Sequence, residues 1–122
     1  MVINKDGSAP INAIVHKTSA GAINSLKIFH VTNLSRTIQE IQKRGIWVVG
    51  LDGNSESTIY NVNLTDATAI VMGSEGKGIR RLIKERCDQI VAIPMSGNIE
   101  SLNVSVATGI SLFETKRQRE SN

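Results

Sequence analysis

Apolar residues along the chain fall into short unbroken runs separated by segments in which they return at every third or fourth position. Ile28-Phe29-His30-Val31 reads as a short buried strand. Leu34, Ile38 and Ile41 then follow at helical spacing, with Asn33 or Ser35 as cap and Gly45 as stop. Ile46-Trp47-Val48-Val49-Gly50 is a second strand, and the turn-rich Asp52-Gly53-Asn54-Ser55 comes after it. Ala67 to Met72 reads as a third strand ending at Gly73, and Gln89 to Ile93 as a fourth closed by Pro94. Between these two lies a basic helix with Ile79, Leu82 and Ile83 on its inner face. The last helix is expected from about Asn103 to Arg119, with Val106, Ile110 and Phe113 as its apolar stripe. Upstream, Ser8 can cap a helix with Pro10 in its first turn and Ile11, Ile14 and Val15 facing inward. Unbroken apolar strands alternating with helices predict an α/β fold, a parallel sheet covered by helices on both faces.

Composition adds limits. A chain of 122 residues suits one domain, and 40% apolar with 20% charged residues is ordinary for a globular protein. No apolar run approaches the roughly 18 residues of a membrane span, and Met1 to Asp6 has no apolar core of a signal peptide. Cys87 is the single cysteine, so no intrachain disulfide can form, and a cytoplasmic setting is expected. No metal site is expected. The net charge of +3 is mild, but its cations are bunched. Lys77, Arg80, Arg81, Lys84 and Arg86 crowd one helix, and Lys116, Arg117 and Arg119 crowd the C-terminus. Such clusters are either solvated helix faces or partners for a phosphate backbone.

Two stretches carry candidate chemistry. In Val71-Met72-Gly73-Ser74-Glu75-Gly76-Lys77-Gly78 a strand end feeds a glycine-rich turn and a helix. Glycines there admit close approach to the backbone, and a helix start offers free N–H groups. The spacing is neither that of a Walker loop nor GxGxxG. A tight structural turn and a ligand loop therefore both remain open. In the second stretch, Ile93-Pro94-Met95-Ser96-Gly97 ends a strand and Ser101-Leu102-Asn103 opens a helix. That helix begins with the small residues Ser105, Ala107, Thr108 and Gly109. Glycine inside a helix costs about 1 kcal/mol relative to alanine, so close approach of another backbone or a ligand is the simplest compensation.

Taken together, strand–Gly-Ser-Glu-Gly–helix, then Ile-Pro-Met-x-Gly, then Ser-Leu-Asn-Val-Ser-Val-Ala resemble the second and third signature motifs of the SpoU/TrmH family of SPOUT methyltransferases. Phe29 to Leu34 and Trp47 to Gly50 resemble that family's intermediate strands, so the likeness covers nearly the whole chain. Within the family it is strongest to bacterial enzymes that methylate a guanosine ribose of 23S ribosomal RNA. The resemblance implies a C-terminal deep trefoil knot, which periodicity cannot predict because knots are essentially absent from ordinary folds. It implies S-adenosylmethionine contacted at Gly73, Ile93 and Leu102, with Glu75, Ser101 and Asn103 at polar active-site positions. It also implies RNA as substrate and a homodimer. His16 and His30 are the conventional base candidates for the ribose hydroxyl, but neither falls in a family motif.

The family's first motif, an asparagine and an arginine on an initial strand–helix unit, has no counterpart from Met1 onward. Residues 1–122 are thus expected to form a single methyltransferase domain lacking that unit. Alternatives are a transfer-RNA ribose methyltransferase and a cofactor- or RNA-binding dimer module without turnover.

Overall fold

The computed structural model describes residues 1–4, 27–73, 78–96 and 103–121. They fall into two compact units, Met1–Thr37 and Ile38–Asn122. In the first, β1 (Val2–Asn4) runs parallel to β2 (Phe29–Val31), with Val2 opposite Phe29 and Asn4 opposite Val31. The Met1 ammonium donates to the Lys27 carbonyl at 2.7 Å and helps close the pair. The strand expected to be buried is not: Phe29 and His30 are exposed and Val31 half-buried. The helix expected after Ser8, with His16, lies outside the described residues.

Helix α1 (Leu34–Lys43) has both predicted signals. The Arg36 N–H donates to the Asn33 side-chain oxygen at 3.0 Å, so Asn33 rather than Ser35 is the cap. At the other end the Gly45 N–H reaches Gln42 O and the Ile46 N–H reaches Ile41 O. That pair of bonds is a Schellman motif, and it needs the positive φ of 83° that Gly45 adopts. Ile38 is the buried residue of its apolar face.

The second unit is built on three parallel strands in the order β4-β3-β5, with β3 (Trp47–Leu51) central, β4 (Thr68–Val71) and β5 (Gln89–Val91). Trp47 lies opposite Thr68 and Gly50 opposite Val71, while Leu51 lies opposite Val91. Val48 and Val49, successive residues pointing to opposite faces, are both fully buried, as a covered parallel strand requires. The core joins Val49 and Val91 to Ile59, Val62 and Leu64, with Leu51 and Ile93 packed against it. Three of these side chains come from the β3–β4 connection, where a 3₁₀ turn spans Ile59–Asn61. The strands are shorter than their apolar runs. Beyond Val91 the chain leaves β3 and Ala92 bridges in parallel to Thr58 instead.

Two helices complete the unit, α2 (Arg81–Arg86) and α3 (Val104–Glu120). Here the expected inner faces are corrected. Leu82 is exposed, and α2 has no fully buried residue. On α3, Val106 is 50% and Phe113 72% exposed, whereas Ser111 and Glu114 are buried. The reason is what α3 docks against. The Leu64 N–H and the Val62 carbonyl need polar partners, and Gln118 supplies both, at 2.8 and 3.0 Å. Arg119 adds bonds to the carbonyls of Leu64 and Asp66. The docked face is polar; of the expected stripe Val106 and Phe113 point to solvent, while Ile110 is half-buried. The implied knot depends on the path of residues 97–102, which lie outside the described residues.

Candidate functional site

In parallel α/β sheets ligands bind beyond the carboxyl ends of the strands, where loops diverge. The register of β3, β4 and β5 brings two of the expected residues to that end. Gly73 stands two positions beyond Val71, and Ile93 two beyond Val91, on strands that both pair with β3. Ile93 is half-buried against the core and presents an apolar wall.

Gly73 has a strict local reason to be glycine. A Cβ there would stand 2.3 Å from the Gly78 carbonyl carbon and 2.6 Å from the Ile79 nitrogen. Gly78 comes back against the strand end and takes a φ of 69° there. Of the two open readings of this glycine, close approach is therefore satisfied by the chain's own backbone. Glu75 and Lys77 lie outside the described residues, as do Ser101 and Leu102 further along the chain.

Asn103 is placed at the start of α3, where its side-chain oxygen accepts from the Ser105 N–H at 2.8 Å. That is an N-cap. It takes one of the oxygen's two acceptor sites and leaves the amide NH₂ as a donor for groups beyond the helix. His30 lies on exposed β2, in the first unit, and these strand ends belong to the second.

A third wall comes from a segment that the sequence presents only as a turn. The stretch after β3 is bound along β5: the Asp52 N–H donates to Val91 O and the Ser55 hydroxyl to Ile90 O. The Ala92 N–H returns to Ser57 O, and the Ile59 N–H to Ala92 O. Asp52 also holds the Asn54 N–H at 3.0 Å and the Lys84 ammonium at 2.9 Å. These bonds, the backbone N–H of Asn54 foremost and then Lys84, keep its carboxyl below the usual carboxylate range. The Asp-Gly-Asn-Ser turn signals are visible in sequence, but their docking onto β5 is tertiary. One consequence is that Lys84 is engaged and not a spare phosphate ligand. Arg81 is paired with Glu85, both largely exposed, which binds it only weakly. Among the described residues no group of acidic, histidine and cysteine side chains could hold a metal ion. No helix among them is long and apolar enough to cross a membrane.

The profile of the SpoU rRNA Methylase family matches residues 1–113. The chain is 54% identical over 119 residues to the 23S rRNA (guanosine-2'-O-)-methyltransferase RlmB of Xanthomonas campestris pv. campestris, covering 98% of this chain and 48% of that protein. It therefore spans about half the length of the curated relatives it matches. Among solved structures it is similar to the A. aeolicus TrmH/SpoU tRNA modifying enzyme, with a TM-score of 0.86 and 34% identity over 99% of this chain and 62% of that one. It is also similar to the SpoU methyltransferase AviRb from Streptomyces viridochromogenes in complex with the cofactor AdoMet. There the TM-score is 0.90 at 25% identity, over 99% of this chain and 50% of that one.

Proposed function

The chain belongs to the SpoU rRNA Methylase family, and from that premise we propose that it transfers a methyl group from S-adenosylmethionine to the ribose 2′-oxygen of a guanosine in 23S ribosomal RNA. The observation that carries this reading is the convergence of Gly73, Ile93 and the clamped segment after β3 at one end of a parallel sheet. The residues present suit the cofactor. Leu51 and Ile93 are half-buried apolar groups beside the core, fit to pack an adenine, next to strand-end backbone fit to hydrogen-bond its edge. Gly73, Ile93 and Leu102 are the proposed contacts.

When bound, the cofactor supplies an electrophilic methyl on a sulfonium. The chain's own residues hold the ribose oxygen in line with it and handle the hydroxyl proton. Asn103, its oxygen used in capping α3, acts as a donor that orients an oxygen of ribose or cofactor. It cannot be the base. Glu75 is the one carboxylate of the proposed set, and it accepts the hydrogen bond of the ribose hydroxyl, while Ser101 serves as a short donor and acceptor. Arg80, the residue before α2 and without an ion pair among the described residues, faces RNA phosphates.

The proposed assembly is a two-fold homodimer that covers the exposed face of α3. Val106, Leu112 and Phe113 are exposed there, and nothing stands within 4 Å of a Cβ built on Gly109. Among the described residues nothing compensates that helical glycine, and close packing of a second copy does. The reading includes a C-terminal trefoil knot and a cytoplasmic setting.

The decisive experiment is methyl incorporation from labelled S-adenosylmethionine into unmodified 23S ribosomal RNA, followed by nucleoside mass spectrometry. The expected product is 2′-O-methylguanosine. Label appearing only in transfer RNA, or on a base, would refute the substrate assigned.

A further inference from the structure

The opposite end of the same sheet carries a second concentration of chemistry that the proposed reaction does not use. Trp47, the only tryptophan in the chain, is the first residue of β3 and is 46% exposed. Its backbone is held on both sides. The Trp47 N–H donates to Ala67 O, and the next residue, Val48, donates its N–H to the Asp88 carboxylate at 2.8 Å. Gln42, near the end of α1, donates to Arg86 O at 2.7 Å and to the same Asp88 carboxylate at 3.1 Å. These bonds bring the last turns of α1 and α2 together beside the start of β3.

The side chains at this junction are Lys43, Arg44 and Arg86, all exposed. Among the described residues none of the three makes an ion pair. Of the carboxylates at this end, Asp88 is committed to the Val48 N–H and Gln42 and Glu85, on the last turn of α2, to Arg81, which leaves Glu40 on α1 and Asp66 beside Ala67 as the other acidic groups. Helix C-termini favour cations through their dipole, which accounts for the charges. It does not account for an indole left half in water at the mouth of a strand whose next three residues are buried. Three exposed cations on helix ends that meet beside the strand carrying an exposed aromatic residue match a single-stranded nucleic acid, whose phosphates take the cations and whose base stacks on the ring.

We propose that Trp47, Lys43, Arg44 and Arg86 form a second RNA-binding surface, a stacking platform for an unpaired nucleotide flanking the one that is methylated. It lies at the entry end of β3, a strand length of about 15 Å from the cofactor end. The inference rests on RNA being the substrate. Its role is to hold the RNA, not to react with it.

The single tryptophan makes the test direct. Titration of the chain with a twelve-nucleotide single-stranded RNA should quench the indole fluorescence saturably. Anisotropy with the same RNA, end-labelled, should show Trp47→Leu binding about tenfold more weakly and Trp47→Phe close to the parent. Arg44→Ala with Arg86→Ala should reduce the slope of log affinity against log salt by about 0.7 for each phosphate no longer neutralised. Circular dichroism of each variant checks the fold, and Trp47→Phe guards against a variant that merely unfolds. RNA binding without quenching, or equal affinity for Trp47→Leu and the parent, overturns the platform. No RNA binding at all overturns it as well. Calorimetry with S-adenosylmethionine then decides separately whether the cofactor end, and with it the methyltransferase reading, survives.

Discussion

Gly73 and Gly78 meet backbone to side-chain position: the carbonyl carbon of Gly78 lies 2.3 Å from the point where any other residue at 73 would put its Cβ. This approach lies at the strand end that the proposed cofactor site uses. Because the obstacle is backbone and not a flexible side chain, it cannot give way cheaply. Gly73→Ala is expected to destabilise the chain by about 2 kcal/mol, in the range of overpacking substitutions. Urea denaturation measures this directly. Calorimetry should show weaker S-adenosylmethionine binding at a temperature where the variant is still folded.

Gly109 predicts the opposite sign. With nothing within 4 Å of its Cβ position, Gly109→Ala should stabilise the isolated chain by about 1 kcal/mol through helix propensity. Gly109→Leu should fold equally well but weaken the dimer. Sedimentation at several concentrations, compared with thermal unfolding, separates the two effects. A bulky residue there that left dimerisation untouched would remove α3 from the interface.

The docking of α3 rests on Gln118, whose amide serves Val62, Leu64 and Glu114 at once. Gln118→Ala leaves the Leu64 N–H and the Val62 carbonyl without these partners. A destabilisation of about 2 kcal/mol is expected for such a buried pair. Hydrogen exchange should show it as faster exchange at Leu64 and along the last turns of α3, with β3 amides still protected.

Glu114 ties the same docking to pH. Its carboxyl sits below the usual carboxylate range because Arg117 donates two bonds to it, with Gln118 adding a third. A depressed carboxylate contributes stability that is full above its unfolded value, near pH 4.3, and that is lost as pH falls through the lower folded value. Asp52 acts in the same direction through Asn54 and Lys84. Stability should therefore fall below about pH 4, and Glu114→Gln should flatten that part of the profile. Chemical denaturation between pH 3 and 6 would test this, and an unchanged slope in the variant would exclude Glu114 as a source.

Near neutral pH the half-buried Cys87 is expected to be a poor nucleophile. Burial pushes its thiol up, and the nearby Asp88 charge adds to this. Reaction with a thiol reagent in the folded chain should be slower than in the unfolded chain, where thiolate is more abundant.

Much of the architecture is legible along the chain because it depends on local patterns. Asn33 and Gly45 bound α1 through bonds made within a few residues of each other. The run Trp47 to Gly50 announces a strand covered on both faces, and the glycine turns and Ser-Leu-Asn mark the family. Other features depend on which segment meets which. No periodicity tells that Val62 and Leu64, from the connection between two strands, enter the core. Nor does it tell that their backbone then requires Gln118 and so turns the polar face of α3 inward, leaving Phe113 in water. Asn103 reads from sequence as a helix start and as an active-site position, and its capping bond shows that its oxygen serves the helix. The glycine at 73 is visible as a glycine, but the chain that crowds it arrives from five residues further on. Local spacing determines the elements because their hydrogen bonds close within a turn or along a run. Partners distant in sequence decide which faces are buried, because an unpaired backbone group costs more than an apolar side chain left exposed.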